Sequence, residues 1–243
     1  MNVPTSTPVA LTIQPNPARA LRRAFRPFAA PVLATALALT AALVSAPAQA
    51  SDRSISTTVA AGNATNIRLV LPIGEVEVRG DGGSEIRADL ELRCRRRRDD
   101  CEDRASRVFL DSTREGERVT LAVRGYPKLM RSESLELRGV IHVPADLRLA
   151  IDMRIGELRV VDVHTDVRVD MGVGEVRMNL PAASVHGVKL GSGVGDASLR
   201  APQGRIEAER SLLIGAKLDW RDGTGAANVD VDLGVGEVTV DLD

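Results

Sequence analysis

Gly172-Val173-Gly174-Glu175-Val176 recurs letter for letter as Gly234-Val235-Gly236-Glu237-Val238. Looser copies are Pro72-Ile73-Gly74-Glu75-Val76, Arg154-Ile155-Gly156-Glu157-Leu158, Ser192-Gly193-Val194-Gly195-Asp196 and Leu213-Ile214-Gly215-Ala216. In the C-terminal half the marker glycine falls at 156, 174, 195, 215 and 236, in steps of 18, 21, 20 and 21 residues. A fixed period near 20 residues is the mark of a repeat architecture, in which each unit buries its apolar face against the next.

The residues around each marker define the unit. Glu175-Val176-Arg177-Met178-Asn179-Leu180 and Glu237-Val238-Thr239-Val240-Asp241-Leu242 alternate polar and apolar, as do Val167-Arg168-Val169-Asp170-Met171 and Val229-Asp230-Val231-Asp232-Leu233. Period two is a strand with one buried face. Each unit therefore holds two short strands, joined once by a glycine corner and once by a polar turn. The turns fall at Asp162–Asp166, Pro181–Ser184, Ala201–Arg205 and Arg221–Ala227. The predicted fold is all-β: a β-solenoid, or β-helix-like stack, of ~20-residue two-strand repeats over 151–243. Residues 51–150 show alternating strands but no 20-residue period, and are expected to form an antiparallel cap on the solenoid. Asp99–Arg107 is the one stretch of the mature chain that reads as a short helical turn.

The run Val140-Ile141-His142-Val143-Pro144-Ala145-Asp146-Leu147-Arg148-Leu149, followed by the ladder of glycine-acid-valine strands, resembles the bacterial putative-adhesin family of unknown function, the toastrack domains. The resemblance spans roughly Ser54 to Asp243. It implies a β-solenoid-like domain of the cell envelope, and it supplies no catalytic residues.

Residues 1–50 hold Arg19, Arg22, Arg23 and Arg26 and no acid, then an Ala- and Leu-rich run from Phe28 to Val44, then Ala48-Gln49-Ala50 before Ser51. Basic, apolar and small-x-small segments in that order read as a secretory signal peptide, with periplasmic or secreted localisation. The apolar run is shorter than the roughly 20 residues of a membrane span, so no transmembrane segment is expected after cleavage. Arg22-Arg23 partly matches a twin-arginine signal, but the general secretion route is the first reading. The mature chain, 51–243, is one domain. Removing four arginines from 32 basic residues leaves 28 against 33 acidic, a formal charge of −5. An exported, mildly acidic chain is a poor nucleic-acid binder. Its only aromatics are Phe109, Tyr126 and Trp220, which leaves no stacking platform for bases or sugars.

Cys94 and Cys101 are the only cysteines, and export predicts a structural disulfide between them. A redox pair would favour a tighter Cys-x-x-Cys. A metal site would need more ligands than the scattered His142, His164 and His186 supply. Arg93 and Arg95–Arg98 form a basic cluster on that loop, read first as a solvated tip because Asp99, Asp100, Glu102 and Asp103 neutralise it, and second as a contact for anionic envelope material.

The candidate site is an acidic column. Stacked coils would bring Glu157, Glu175, Asp196 and Glu237, each following its corner glycine (Gly156, Gly174, Gly195 and Gly236), into equivalent positions, while Gly74 and Glu75 are a further copy of the signature in the non-periodic half. Like charges about 4.8 Å apart repel by about 1 kcal/mol per pair in water. Arg159 and Arg177 are expected to relieve that repulsion, and the coil at Gly215-Ala216-Lys217 to separate Asp196 from Glu237. Divalent-cation binding is the alternative use, but the chain lacks the Gly-Gly-x-Gly-x-Asp nonapeptide of calcium-binding rolls. No nucleophile elbow, phosphate loop or His-Glu-x-x-His is present, and Gly191-Ser192-Gly193-Val194-Gly195 aligns with the other corners. Neither a metal nor a cofactor is expected. The functional expectation is a non-enzymatic envelope protein, an adhesin or scaffold presenting a flat β surface to another envelope protein or a cell-wall polymer. The alternatives are a carbohydrate-active enzyme of the parallel β-helix type and an envelope-stress sensor module.

Overall fold

The computed structural model describes residues 52–94, 99–127, 135–211 and 215–243. The expected signal peptide lies outside them, as do Arg95–Arg98 and the Leu213-Ile214 half of the weakest corner copy.

In sequence order the strands are β1 (Arg53–Ala60), β2 (Asn66–Asp81), β3 (Glu85–Cys94), β4 (Phe109–Glu115), β5 (Arg118–Arg124), β6 (Leu135–Pro144) and β7 (Arg148–Val161). They continue as β8 (Val167–Leu180), β9 (Val185–Ala201), β10 (Gly204–Glu207), β11 (Glu209–Ser211), β12 (Gly215–Trp220) and β13 (Ala227–Leu242). A short α-helix, α1 (Asp99–Ser106), lies where the short turn was expected. The strands join one large open sheet, not a closed barrel, in the order β1-β3-β6-β2-β7-β8-β13-β9-β12-β11. Additional pairings join β5 to β2, β4 to β5 and β10 to β9.

The two strands expected on either side of each corner are one long strand that bends there. In β8, Val167, Val169 and Met171 are buried before the bend, and Val176, Met178 and Leu180 after it. Odd positions give way to even ones across the corner. A straight strand with that shift would turn half its apolar set to solvent. Gly174, at φ 142°, bends the chain so that both arms face one core. The pattern repeats in β7 with Leu149, Ile151 and Met153, then Leu158 and Val160. In β13 it is Val229, Val231 and Leu233, then Val238, Val240 and Leu242. These residues belong to one continuous apolar cluster. In β9 the last inward position before the bend is Ser192, which is buried, and its Oγ donates to the Gly236 carbonyl oxygen at 3.0 Å.

Two expectations are corrected. The first half is mixed, not an antiparallel cap. β1–β3, β3–β6 and β4–β5 are antiparallel, but β2 pairs in parallel with β5, β6 and β7. The corner at Gly74 carries β2 into the parallel ladder, because it is the same bend in the same register as the corner at Gly156. Further, the corner strands do not stack in chain order. β13 pairs in parallel with β8 on one side and β9 on the other. The strand after Gly215 is antiparallel to β9 on its far side, with Ala216 opposite Ser192, so it does not separate Asp196 from Glu237.

Candidate functional site

Register places the five corners in one column: Gly74, Gly156, Gly174, Gly236 and Gly195 lie side by side across β2, β7, β8, β13 and β9. One residue on, Glu75, Glu157, Glu175, Glu237 and Asp196 form the acidic column in the same order. Arginines meet part of it. Arg138 Nη2 lies 3.0 Å from Glu75 Oε1, and Arg177 pairs with Glu175. Arg159 turns instead to Glu77 on the neighbouring strand, at 3.9 Å. No ion pair reaches Glu157 or Glu237 among the described residues, and Glu237 stands between Glu175 and Asp196. Among the described residues, no group of three or more His, Cys, Asp or Glu is placed to hold a metal ion. A hollow of about 280 Å³ adjoins the end of the column, lined by Asp196, Glu207 and Glu237, with Arg205 Nε 3.4 Å from Glu207 Oε1.

Repulsion at Glu237 predicts a salt response. The melting temperature should rise with sodium chloride as the column is screened, and Glu237→Gln should flatten the rise. Calcium at matched ionic strength should add nothing further; a larger calcium shift, abolished by Glu237→Gln, would mean that the column holds the cation.

Sequence reasoning did not single out the residue between the two corner positions. Ile73, Ile155, Val173, Val235 and Val194 form an aliphatic ridge beside the carboxylates. Val173, Val235 and Val194 are each 44% exposed, and with Phe109 are, among the described residues, the large apolar side chains most open to solvent. The signal was available: an outward strand position tolerates most residue types, yet all five corners carry Ile or Val there.

Cys94 and Cys101 are joined by a disulfide, with Cα atoms 6.1 Å apart. It ties the end of β3 to α1.

A further surface feature lies on the outer face of the arms before the corner. Arg68, Ala150, Arg168 and Asp230 stand in one row across β2, β7, β8 and β13. Ala150 is the small residue among longer ones, and a groove of about 490 Å³ opens over it. Its rim is built from arginine–aspartate pairs: Arg68 Nε to Asp152 Oδ2 at 2.6 Å, Arg168 Nε to Asp170 Oδ2 at 3.1 Å, and Arg148 Nε to Asp166 Oδ2 at 3.4 Å. The hydrogen bonds to Asp152 and Asp170, aided by the charge of those carboxylates, hold the Arg68 and Arg168 guanidinium groups above the usual arginine range. Asp166 also accepts from the Asn228 backbone N–H at 2.9 Å.

The fold and these surfaces define an all-β protein with a large open sheet and a repeated corner. No family model matches the chain, and no curated protein matches it. Among solved structures it is similar to a putative cell adhesion protein from Clostridium sporogenes, at 14% identity and a TM-score of 0.49, over 79% of this chain and 100% of that one. It is also similar to a putative adhesin from Parabacteroides distasonis, at 7% identity and a TM-score of 0.26 over 78% and 97% of the two chains. A putative adhesin from Parabacteroides merdae gives 7% identity and a TM-score of 0.24 over 79% and 97%.

Proposed function

We propose that this chain is an exported, non-enzymatic binding domain of the cell envelope, a β-solenoid whose corner presents a continuous edge to an envelope protein or a cell-wall polymer. The observation that supports it is the five-strand register of the corner: one aliphatic ridge and one carboxylate column, repeated from β2 to β9. A reaction centre is a single asymmetric place, whereas this feature is the same from strand to strand. The Cys94–Cys101 disulfide fits an oxidising compartment. No helix among the described residues is long and apolar enough to cross a membrane. Solenoid repeats and export of residues 51–243 belong to this reading, as do cleavage after Ala50 and the roles of the signature glycines and acids.

The test is capture from the protein's own envelope extract by the immobilised protein and by a variant with Val173→Ser, Val194→Ser and Val235→Ser. These side chains are exposed, so the variant should keep its melting temperature within a few degrees and lose the captured species. Equal capture by both proteins would reject the ridge as the binding edge.

A further inference from the structure

We propose that the groove over Ala150 binds an anionic saccharide, its hydroxyls bridging the arginine–aspartate pairs and its acid group seated at Arg118. This extends the polymer branch of the proposed function. It concerns a different surface from the corner ridge, so either can fail without the other.

The groove exists because of one residue. In the outward row Arg68–Ala150–Arg168–Asp230, a methyl group replaces a long side chain at the centre. Arg68 reaches across to Asp152, the next outward residue of Ala150's own strand, and Arg168 folds along its strand to Asp170. The volume, about 490 Å³, falls within the size range of small-ligand sites.

The rim chemistry selects the ligand. A guanidinium offers several planar N–H donors and a carboxylate several acceptor lone pairs. Arg68 and Arg148, each paired with its aspartate through Nε, retain donors on their Nη atoms, and the aspartates retain lone pairs; Arg168 is forked onto Asp170 through Nε and Nη2 and closes that side of the groove. The Arg68–Asp152 and Arg148–Asp166 pairs thus each show a donor edge beside an acceptor edge. Two adjacent sugar hydroxyls, each both donor and acceptor, complement that arrangement without breaking the native pair. A simple inorganic anion fits less well, because it competes with Asp152, Asp166 and Asp170 for their arginines. Asn66, opposite Arg148 on β2, and Asn228 add amide donors and acceptors at the rim. No aromatic side chain lines the groove, so recognition rests on polar contacts.

The charge is uneven along the groove. Arg118 on β5 stands opposite Asn66 and makes no ion pair among the described residues. Arg68, Arg148 and Arg168 are each matched by a carboxylate. The β5 end therefore carries a cation free to take a carboxylate or a phosphate in a forked hydrogen bond.

The experiment titrates the purified protein, disulfide intact, with digalacturonate, glucose 6-phosphate, maltose and inorganic phosphate, reading the amide resonances of β2, β7 and β8. The expected result is saturable shifts around Ala150 from one or both acidic sugars, with maltose about tenfold weaker and inorganic phosphate weaker still. Preference for digalacturonate would identify a uronate as the acid group, and preference for glucose 6-phosphate a sugar phosphate. Arg118→Gln should bring the acidic sugar down to the level of maltose while leaving maltose itself unchanged. Ala150→Leu, which fills the groove from a half-buried outward position, should abolish both at an unchanged melting temperature. The proposal is overturned if none of the sugars shifts these amides. It is equally overturned if inorganic phosphate matches the acidic sugars, or if a folded Ala150→Leu protein binds as before.

Discussion

Val176→Asp should unfold the protein, whereas Arg177→Asp, one residue along the same strand, should leave it folded. Val176 has no exposed surface, and in the ladder it stands between Leu158 and Val238. A carboxylate there has neither water nor a cation to meet it, and burying an unpaired charge costs on the order of 4–5 kcal/mol or more. A domain of ordinary stability has roughly 5–15 kcal/mol in total. Arg177 points outward, and its loss removes an exposed pairing with Glu175, worth about 1 kcal/mol or less. The denaturation midpoints of the two variants check this. Similar losses from both would mean that the inward phase assigned to the arm after the corner is wrong.

Gly174→Ala should be nearly as damaging, although it adds one methyl group. Gly174 has φ 142°, and a Cβ built there would lie 1.8 Å from the Gly156 carbonyl oxygen and 2.6 Å from the Met171 methyl. The first of these is backbone of the neighbouring strand, so relief requires parting β7 from β8 at the bend. The corner glycines at 156, 195 and 236 meet the next corner's carbonyl oxygen at 1.8, 1.9 and 1.7 Å, and the same substitution should fail at each. Gly116→Ala is the control: its φ is 58°, but nothing lies within 4 Å of the added carbon, so the cost should be about 1–2 kcal/mol of backbone strain. Thermal melts of the two proteins decide it. If Gly174→Ala melts with Gly116→Ala, the close approach of neighbouring corners is not a feature of the folded protein.

The inward phase behind the Val176 expectation is legible in the sequence; the close approach behind the Gly174 expectation is not. Alternation on both sides of Gly174 gave the buried residues of each arm, and the polar stretches such as Asp162–Asp166 gave the returns between strands. The disulfide followed from the cysteine count together with the expectation of export. Neighbour choice was not legible. Each corner carries nearly the same residues, so any corner strand can stack on any other in the same register, and the sequence contains nothing that favours β8–β9 contact over β8–β13–β9. The role of β2 was hidden for a related reason. Its corner at Gly74 lies far from the regular series beginning at Gly156, and its neighbours β5 and β6 pair with different arms of it and lack the repeated motif. The groove over Ala150 was beyond reach because its walls come from positions between 66 and 230 that only cross-strand register brings together. The ridge was within reach, since Ile or Val between the corner positions is a regularity of the sequence itself.

The central claim is that the five corners form one column with β13 between β8 and β9, and paired cysteines test it most directly. Thr239 faces Arg177 on one side and Ser198 on the other. Adjacent strands are about 4.8 Å apart, within the roughly 7 Å between Cα atoms that a disulfide tolerates, whereas strands two apart are beyond it. Three double variants are oxidised and their cross-linked peptides identified by mass: Arg177→Cys with Thr239→Cys, Ser198→Cys with Thr239→Cys, and Arg177→Cys with Ser198→Cys. The structure predicts linkage in the first two and none in the third. Efficient linkage of positions 177 and 198, with little in the other two, would show strands stacked in chain order and would contradict the column.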